Sequence, residues 1–193
     1  MNRSPRVDRR AGSRRGIAAV EFALLAPIVL LVMLAGADLS LFMRTVMRMD
    51  ETSTELALTV TQYDSLYDGD FTTLFNAAQT IASGTPVTGL FGATIISGIV
   101  YSGGKQTIAW QKISPSATFR SLFGVAGAVP VLPNRYVLPS GGTLIAVEVF
   151  TTASPWVLSA TLMGGPGGSS IRSYALFQPR LGTLSSVNAG NRP

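Results

Sequence analysis

The sequence predicts an α+β protein: a long N-terminal helix, apolar in its first half and amphipathic in its second, carrying a small, mainly antiparallel β-sheet head. Three observations carry this expectation. Ile17 to Ala37 is a run of 21 residues in which Glu21 is the only charge. Directly after it, apolar residues recur at helical spacing as far as about Gln62. Beyond Asp64 the pattern changes to short strand-like runs, two of them joined through Gly-Gly.

The order of elements begins with a basic leader. Residues 1–16 hold Arg3, Arg6, Arg9, Arg10, Arg14 and Arg15 against Asp8 alone, which equals the formal +5 of the whole chain. The remainder is neutral, so the basic character belongs to the N-terminus and not to a binding face on the folded part. Basic arms bind nucleic acid electrostatically, but no aromatic or polar base-reading groups stand nearby, and no nucleic-acid partner is expected. An apolar run follows at once, which marks a cytoplasmic tail orienting a single membrane span. The chain contains no Cys and no His, which removes disulfides, thiolate or imidazole metal ligands and any Ser-His-Asp triad. No cofactor, metal or enzymatic activity is expected.

The span comes next. A helix of 21 residues covers roughly 30 Å, the hydrocarbon thickness of a bilayer. Later apolar stretches such as Thr143–Phe150 and Trp156–Met163 are far shorter and read as elements of a folded head. The chain is therefore expected to cross once, with residues after about Arg44 on the side opposite the arginines. Pro27 removes a backbone hydrogen bond inside the span, which is expected to kink the helix. Glu21 is the anomaly, because a carboxylate in hydrocarbon is costly unless it has a partner.

A stalk continues the helix. Leu39, Val46, Ser53 and Val60 are seven apart, and Phe42, Met49, Leu56 and Tyr63 form a matching row, with Arg44, Arg48, Glu51 and Glu55 off the stripe. So short a stripe is better satisfied by packing on the head than by a coiled coil. The polar segment 63–70 ends it. The expected division is a leader over 1–16, a transmembrane helix over 17–43, a stalk over 44–63 and a head over 64–193.

Within the head, Phe71, Leu74, Phe75, Ala78 and Ile81 share one face of a short amphipathic helix. Thr94–Tyr101 and Gln106–Ile113 flank Ser102-Gly-Gly-Lys105 and predict a hairpin. The runs 143–150 and 171–178 supply two more strands. Four prolines and several glycines over 115–140 predict a long irregular excursion. Gly164–Ser170 is Gly-rich, yet it lacks the Lys-Ser/Thr ending of a P-loop and reads as a loop. Asp38-Leu-Ser-Leu-Phe42 lacks the second Ser of an Asp-x-Ser-x-Ser metal motif. Asp64, Asp68 and Asp70 do not have EF-hand spacing and read as a solvated turn. Trp110 and Trp156 are expected in core packing rather than on a binding surface.

The opening stretch holds two readable processing sites. Gly16-Ile17 has arginines before it, an apolar run after it, and Glu21-Phe22 at the fifth and sixth positions past the glycine. This resembles the prepilin-peptidase site of type IV pilins, above all those of the tight-adherence (Flp or Tad) class. The second is Ala35-Gly36-Ala37, an A-x-A pattern behind the apolar run Phe22–Leu34, with Ser13-Arg14-Arg15 loosely similar to a twin-arginine motif. Cleavage there would release a soluble protein starting at Asp38. It ranks lower because the helical stripe runs through Asp38 and Glu21 is unwelcome in a signal sequence. An uncleaved bitopic scaffold is the third possibility.

Gly16, Ala18, Val20, Glu21, Phe22, Ala23, Leu24, Pro27, Gly36 and Asp38 together resemble the N-terminus of TadE-like proteins. Two departures stand out: Asp38 where Glu is commoner, and an atypical stalk in place of a basic, Ala-rich helix. The stretches 143–165 and 171–184 are more loosely similar to the C-terminal portion of such proteins. The resemblance implies a pilin-like fold and a minor pseudopilin of a type IV (Flp) pilus assembly system, in a bacterial inner membrane with a periplasmic head, and hence a part in cell adhesion. It implies a prepilin peptidase, other pilins or pseudopilins, inner-membrane assembly proteins and the lipid bilayer as partners. It also implies that Glu21 pairs with the new α-amino group of Ile17 in a neighbouring subunit.

Overall fold

A computed structural model describes residues 10–153 and 169–192. The first element, α1, is a helix over Arg10–Val60 that runs on through Pro27. A two-residue strand, β1 (Leu66–Tyr67), leads into α2 (Asp70–Ile81), and the sheet strands follow: β2 (Gly92–Ser102), β3 (Lys105–Ile113), β4 (Thr143–Ala153) and β5 (Ser169–Phe177). A last short strand, β6 (Val187–Asn188), lies beside β1. The expected α+β architecture is what forms.

The four long strands make one antiparallel sheet in the order β3-β2-β4-β5. The β2–β3 turn uses Gly103 and Gly104 with φ of +60° and +81°, the left-handed pair that a two-residue hairpin loop needs to match strand twist. A bulge follows at Gly98, where the register jumps from Gly98↔Trp110 to Ile99↔Ile108. Gly98 is required here because a Cβ would stand 2.2 Å from the Trp110 indole nitrogen.

The stalk half of α1 lies across β4 and β5, with α2 against it. Met49, Leu56, Ala57 and Val60 from α1, Phe71, Leu74 and Ala78 from α2, and Ile145, Val147 and Val149 from β4 form the main core. Trp110 joins it, edge-on to Phe71, and its indole N–H donates to the Leu184 carbonyl at 2.8 Å. Core packing of Trp110 is thus what the structure displays, whereas Trp156 and Gly164–Gly168 lie outside the described residues. Of the apolar face expected for α2, Ile81 is only half-buried while the other four side chains are buried.

The excursion between β3 and β4 is irregular apart from one 3-10 turn, Pro133–Arg135. It covers the second face of the sheet, where Phe123, Leu132 and Leu138 pack on Ile99, Ile108 and Leu144, and Phe119 stacks on Phe150. Burial on both faces explains why β2 reads as a continuous apolar run rather than an alternating one.

The stalk stripe needs one correction. Ser53, Leu56, Val60 and Met49 are fully buried, but Leu39, expected on the same stripe, is 53% exposed. A straight helix drifts about 20° per heptad against a seven-residue repeat, so three heptads back from Val60 Leu39 has turned about 60° off the buried line and Asp38 stands nearer to it. That carboxylate is 5% exposed, eleven residues before Met49 and twenty-two before Val60, in step with three turns of helix at each interval.

The C-terminal tail closes the far end of the head. Arg180 N–H donates to Thr61 O, and β6 pairs in parallel with β1, Leu66 facing Val187. Asp68 pairs with Lys112 at 2.6 Å, and Arg192 with Asp70 at 3.5 Å and Asp64 at 3.8 Å. Two basic side chains brought from elsewhere in the chain thus pair with the three carboxylates of the acidic turn. Ser65 donates to Asp64 Oδ1 through its backbone N–H at 2.7 Å and its hydroxyl at 3.2 Å. Those bonds, with Arg192 as the smallest contributor, hold the Asp64 carboxyl below its ordinary value of 3.8. Among the described residues no three metal-ligating side chains converge.

Candidate processing and assembly segment

The N-terminal half of α1 makes almost no contact with the head. From Ile17 to Leu34 its large apolar side chains stand open: Ile17 is 57% and Phe22 73% exposed. This is the one helix among the described residues long and apolar enough to cross a membrane, and none of its apolar window is buried. Such a surface is unstable in water and has to be covered by lipid or by other helices.

Gly16 and Ile17 lie in the first described turns of this exposed helix, and a Cβ on Gly16 would meet nothing within 4 Å. The glycine is therefore not imposed by packing inside the chain. Glu21 is exposed and four residues after Ile17, so the two share a face one turn apart. Phe22 is turned one residue further round. Pro27 has no N–H to give the Ala23 carbonyl, and the helix continues on both sides of it. Ala35 is half-buried and Ala37 exposed, both within continuous helix. The structure thus gathers Gly16, Ile17, Glu21 and Phe22 on about two turns and leaves Ala35 and Ala37 some three turns further along.

Two features of the stalk escaped the sequence reading. Asp38 is turned inward, so that the outward surface from Phe22 to Met43 carries no charge and ends at Arg44. The hydroxyl of Ser173 on β5 donates to Asp50 at 3.1 Å and lies 3.1 Å from the Ser53 hydroxyl, tying stalk to sheet.

The head also holds a buried charge cluster that periodicity did not reveal. Glu148 on β4 is fully buried and accepts from Leu122 N–H at 3.0 Å, from Arg172 Nη2 at 2.7 Å and Nε at 3.0 Å, and from the Ser121 hydroxyl. The Arg172 guanidinium is sandwiched near the rings of Phe123 and Tyr174, at 4.6 and 4.8 Å. The only sequence signal was a lone Glu inside an apolar strand.

Among the described residues, one candidate membrane span continues directly into the core helix of an α+β head, an architecture consistent with a membrane-anchored protein. Residues 16–58 match the family model of TadE-like proteins, so this segment is TadE-like, of a structural family associated with the tight-adherence (Tad) pilus. The match covers the span and stalk and stops short of the head's strands. Comparisons with curated proteins and with solved structures give no match.

Proposed function

We propose that the chain is a minor pilin-like component that assembles a tight-adherence pilus: inserted once in the inner membrane with its arginines in the cytoplasm and its head in the periplasm, cut after Gly16 by a prepilin peptidase, and bundled through its span with other pilins, pseudopilins and inner-membrane assembly proteins. The leader, span, stalk and head then divide near residues 16, 43 and 63.

The observation that carries this reading is Glu21, exposed one turn after Ile17 on a helix whose whole apolar surface is left open by its own chain. Cleavage after Gly16 would put a free amine at the helix start, where the aligned peptide dipoles favour a carboxylate in the next turn. A neighbour's Ile17 amine facing Glu21 would turn two costly lone charges into a pair and fix the register between helices. Pro27, by freeing one carbonyl, gives the bundle a place to bend.

The test is Glu21→Ala. The variant should insert as well as or better than the native chain, since it removes a charge from the edge of the hydrocarbon, yet should fail in pilus assembly. Unchanged pilus formation would sink the pairing role while leaving the membrane anchor standing.

A further inference from the structure

Leu90 and Phe91 are adjacent, large and apolar, yet 67% and 66% exposed, in a loop that is otherwise firmly built. The Gln79 side chain donates to Thr85 O at 3.0 Å and accepts from Val87 N at 3.2 Å and Thr88 Oγ1 at 3.1 Å. Phe91 O accepts from Thr152 N at 2.9 Å, and the Thr94 hydroxyl donates to Val87 O at 2.8 Å. Leu90 and Phe91 are thus an adjacent aliphatic and aromatic pair held outward on a pinned loop.

The loop's position says what they face. Arg48 Nη1 donates to Ser83 O at 3.1 Å, so the loop starts beside the early stalk. The sheet gives the height of its other end: Gly92 pairs with Thr151 and Thr151 with Ile171, two residues before Ser173, which bonds Asp50 and Ser53. The chain from Ser173 at Asp50 to Arg180 at Thr61 runs in the same direction as α1, about 2.4 Å of helix axis per residue, so those two residues carry Gly92 about 5 Å towards the helix N-terminus. That is about three helical residues, and Phe91, one strand residue further, comes level with about Thr45 and Val46.

The span ends just below. With Asp38 turned inward, the outward surface is uncharged from Phe22 to Met43, which is about 33 Å of helix against a hydrocarbon core of about 30 Å with roughly 5–7 Å of headgroup region on each side. Leu90 and Phe91 therefore sit at the height of that headgroup layer, where side chains of this kind anchor interfacial segments. Arg44 stands exposed at the same level.

We infer that Leu90 and Phe91 form a second, lateral contact with the lipid surface that α1 crosses, fixing the tilt and rotation of the head against the bilayer; this rests on the reading of α1 as a membrane span.

The chain has no native cysteine, so single-cysteine variants of the full chain can carry one environment-sensitive fluorophore each. Phe91→Cys and, independently, Leu90→Cys would be labelled in phosphatidylethanolamine–phosphatidylglycerol vesicles, with Leu30→Cys in the span and Ser102→Cys at the hairpin end as references. At 90 and 91 the expected result is a blue-shifted emission that shallow spin-labelled lipid quenches more than deep spin-labelled lipid does. Position 30 should be quenched more by the deep one and position 102 by neither. Water-like emission at 90 and 91 with position 30 quenched would overturn the contact and leave the span intact. A blue shift at 90 and 91 that no lipid quenches would mean protein covers the loop, and would also overturn it. A position 30 that no lipid reaches would overturn span and contact together.

Discussion

Arg172→Ala removes the cation that partners a fully buried carboxylate. Glu148 would lose the bonds from Nη2 at 2.7 Å and Nε at 3.0 Å and keep those from the Leu122 amide and the Ser121 hydroxyl. Breaking a buried ion pair from one side costs about 3–5 kcal/mol, because the surviving charge stays desolvated. The Arg172 side chain is 21% exposed and that of Glu148 0%, so water can partly replace the guanidinium, and the two remaining donors soften the loss further. The expected cost is about 3 kcal/mol, at the lower end of that range. Urea unfolding of the full chain in micelles, followed through far-ultraviolet circular dichroism, reads it. A double-mutant cycle with Glu148→Gln isolates the pair, since the neutral amide no longer needs a cation, and a coupling of about 1–3 kcal/mol is expected. A loss under about 1 kcal/mol, the scale of a surface ion pair, or strict additivity in the cycle, would refute the reasoning that the buried Glu148 depends on Arg172 across the β4–β5 strands.

Three further outcomes are expected. Gly98→Ala forces a methyl against the Trp110 indole, 2.2 Å from Nε1, and should cost about 1–3 kcal/mol of overpacking, read as a drop in the urea midpoint. Asp64 should titrate below 3.8 in a carboxyl-resolved pH series, and Ser65→Ala, which removes the hydroxyl bond at 3.2 Å, should raise its pKa more than Arg192→Ala, whose guanidinium stands 3.8 Å away in solvent. The sign follows from linkage: a lowered folded pKa contributes stability that is fully present above the unfolded value and is lost as pH falls through the folded one, so the turn should loosen only in that acid window. Substituting Gly16 should leave the fold unchanged, since no side chain lies within 4 Å of a Cβ there, while blocking conversion to a shorter chain; continued conversion would place the cut elsewhere.

Much of the fold was legible because its signals are local. A charge-poor run of membrane length, a Gly-Gly turn and period-3.6 burial in α2 each declare themselves within a dozen or two residues. What stayed hidden depends on distant partners. Leu39 looked like a stripe residue because a heptad count ignores the drift of a straight helix, and the inward place went to Asp38. Glu148 sits in an apolar strand because Arg172, Ser121 and Leu122 come to it from other segments. The parallel pairing of β1 with β6 involves two residues on each side, too few to show any period. The proposed processing and assembly segment, by contrast, rests on Gly16, Ile17, Glu21 and Phe22, which lie within one short stretch and need no tertiary contact to be brought together.

The proposed function requires this N-terminal helix to be a processed, subunit-pairing pilin-type segment. The most direct test is the intact mass and N-terminal residue of the protein taken from its native membrane. The expected chain begins at Ile17, with residues 1–16 removed and Glu21 one turn inside the new terminus. A chain beginning at Asp38 would contradict it by making the whole span a discarded signal, and an intact Met1 end would contradict the processing outright.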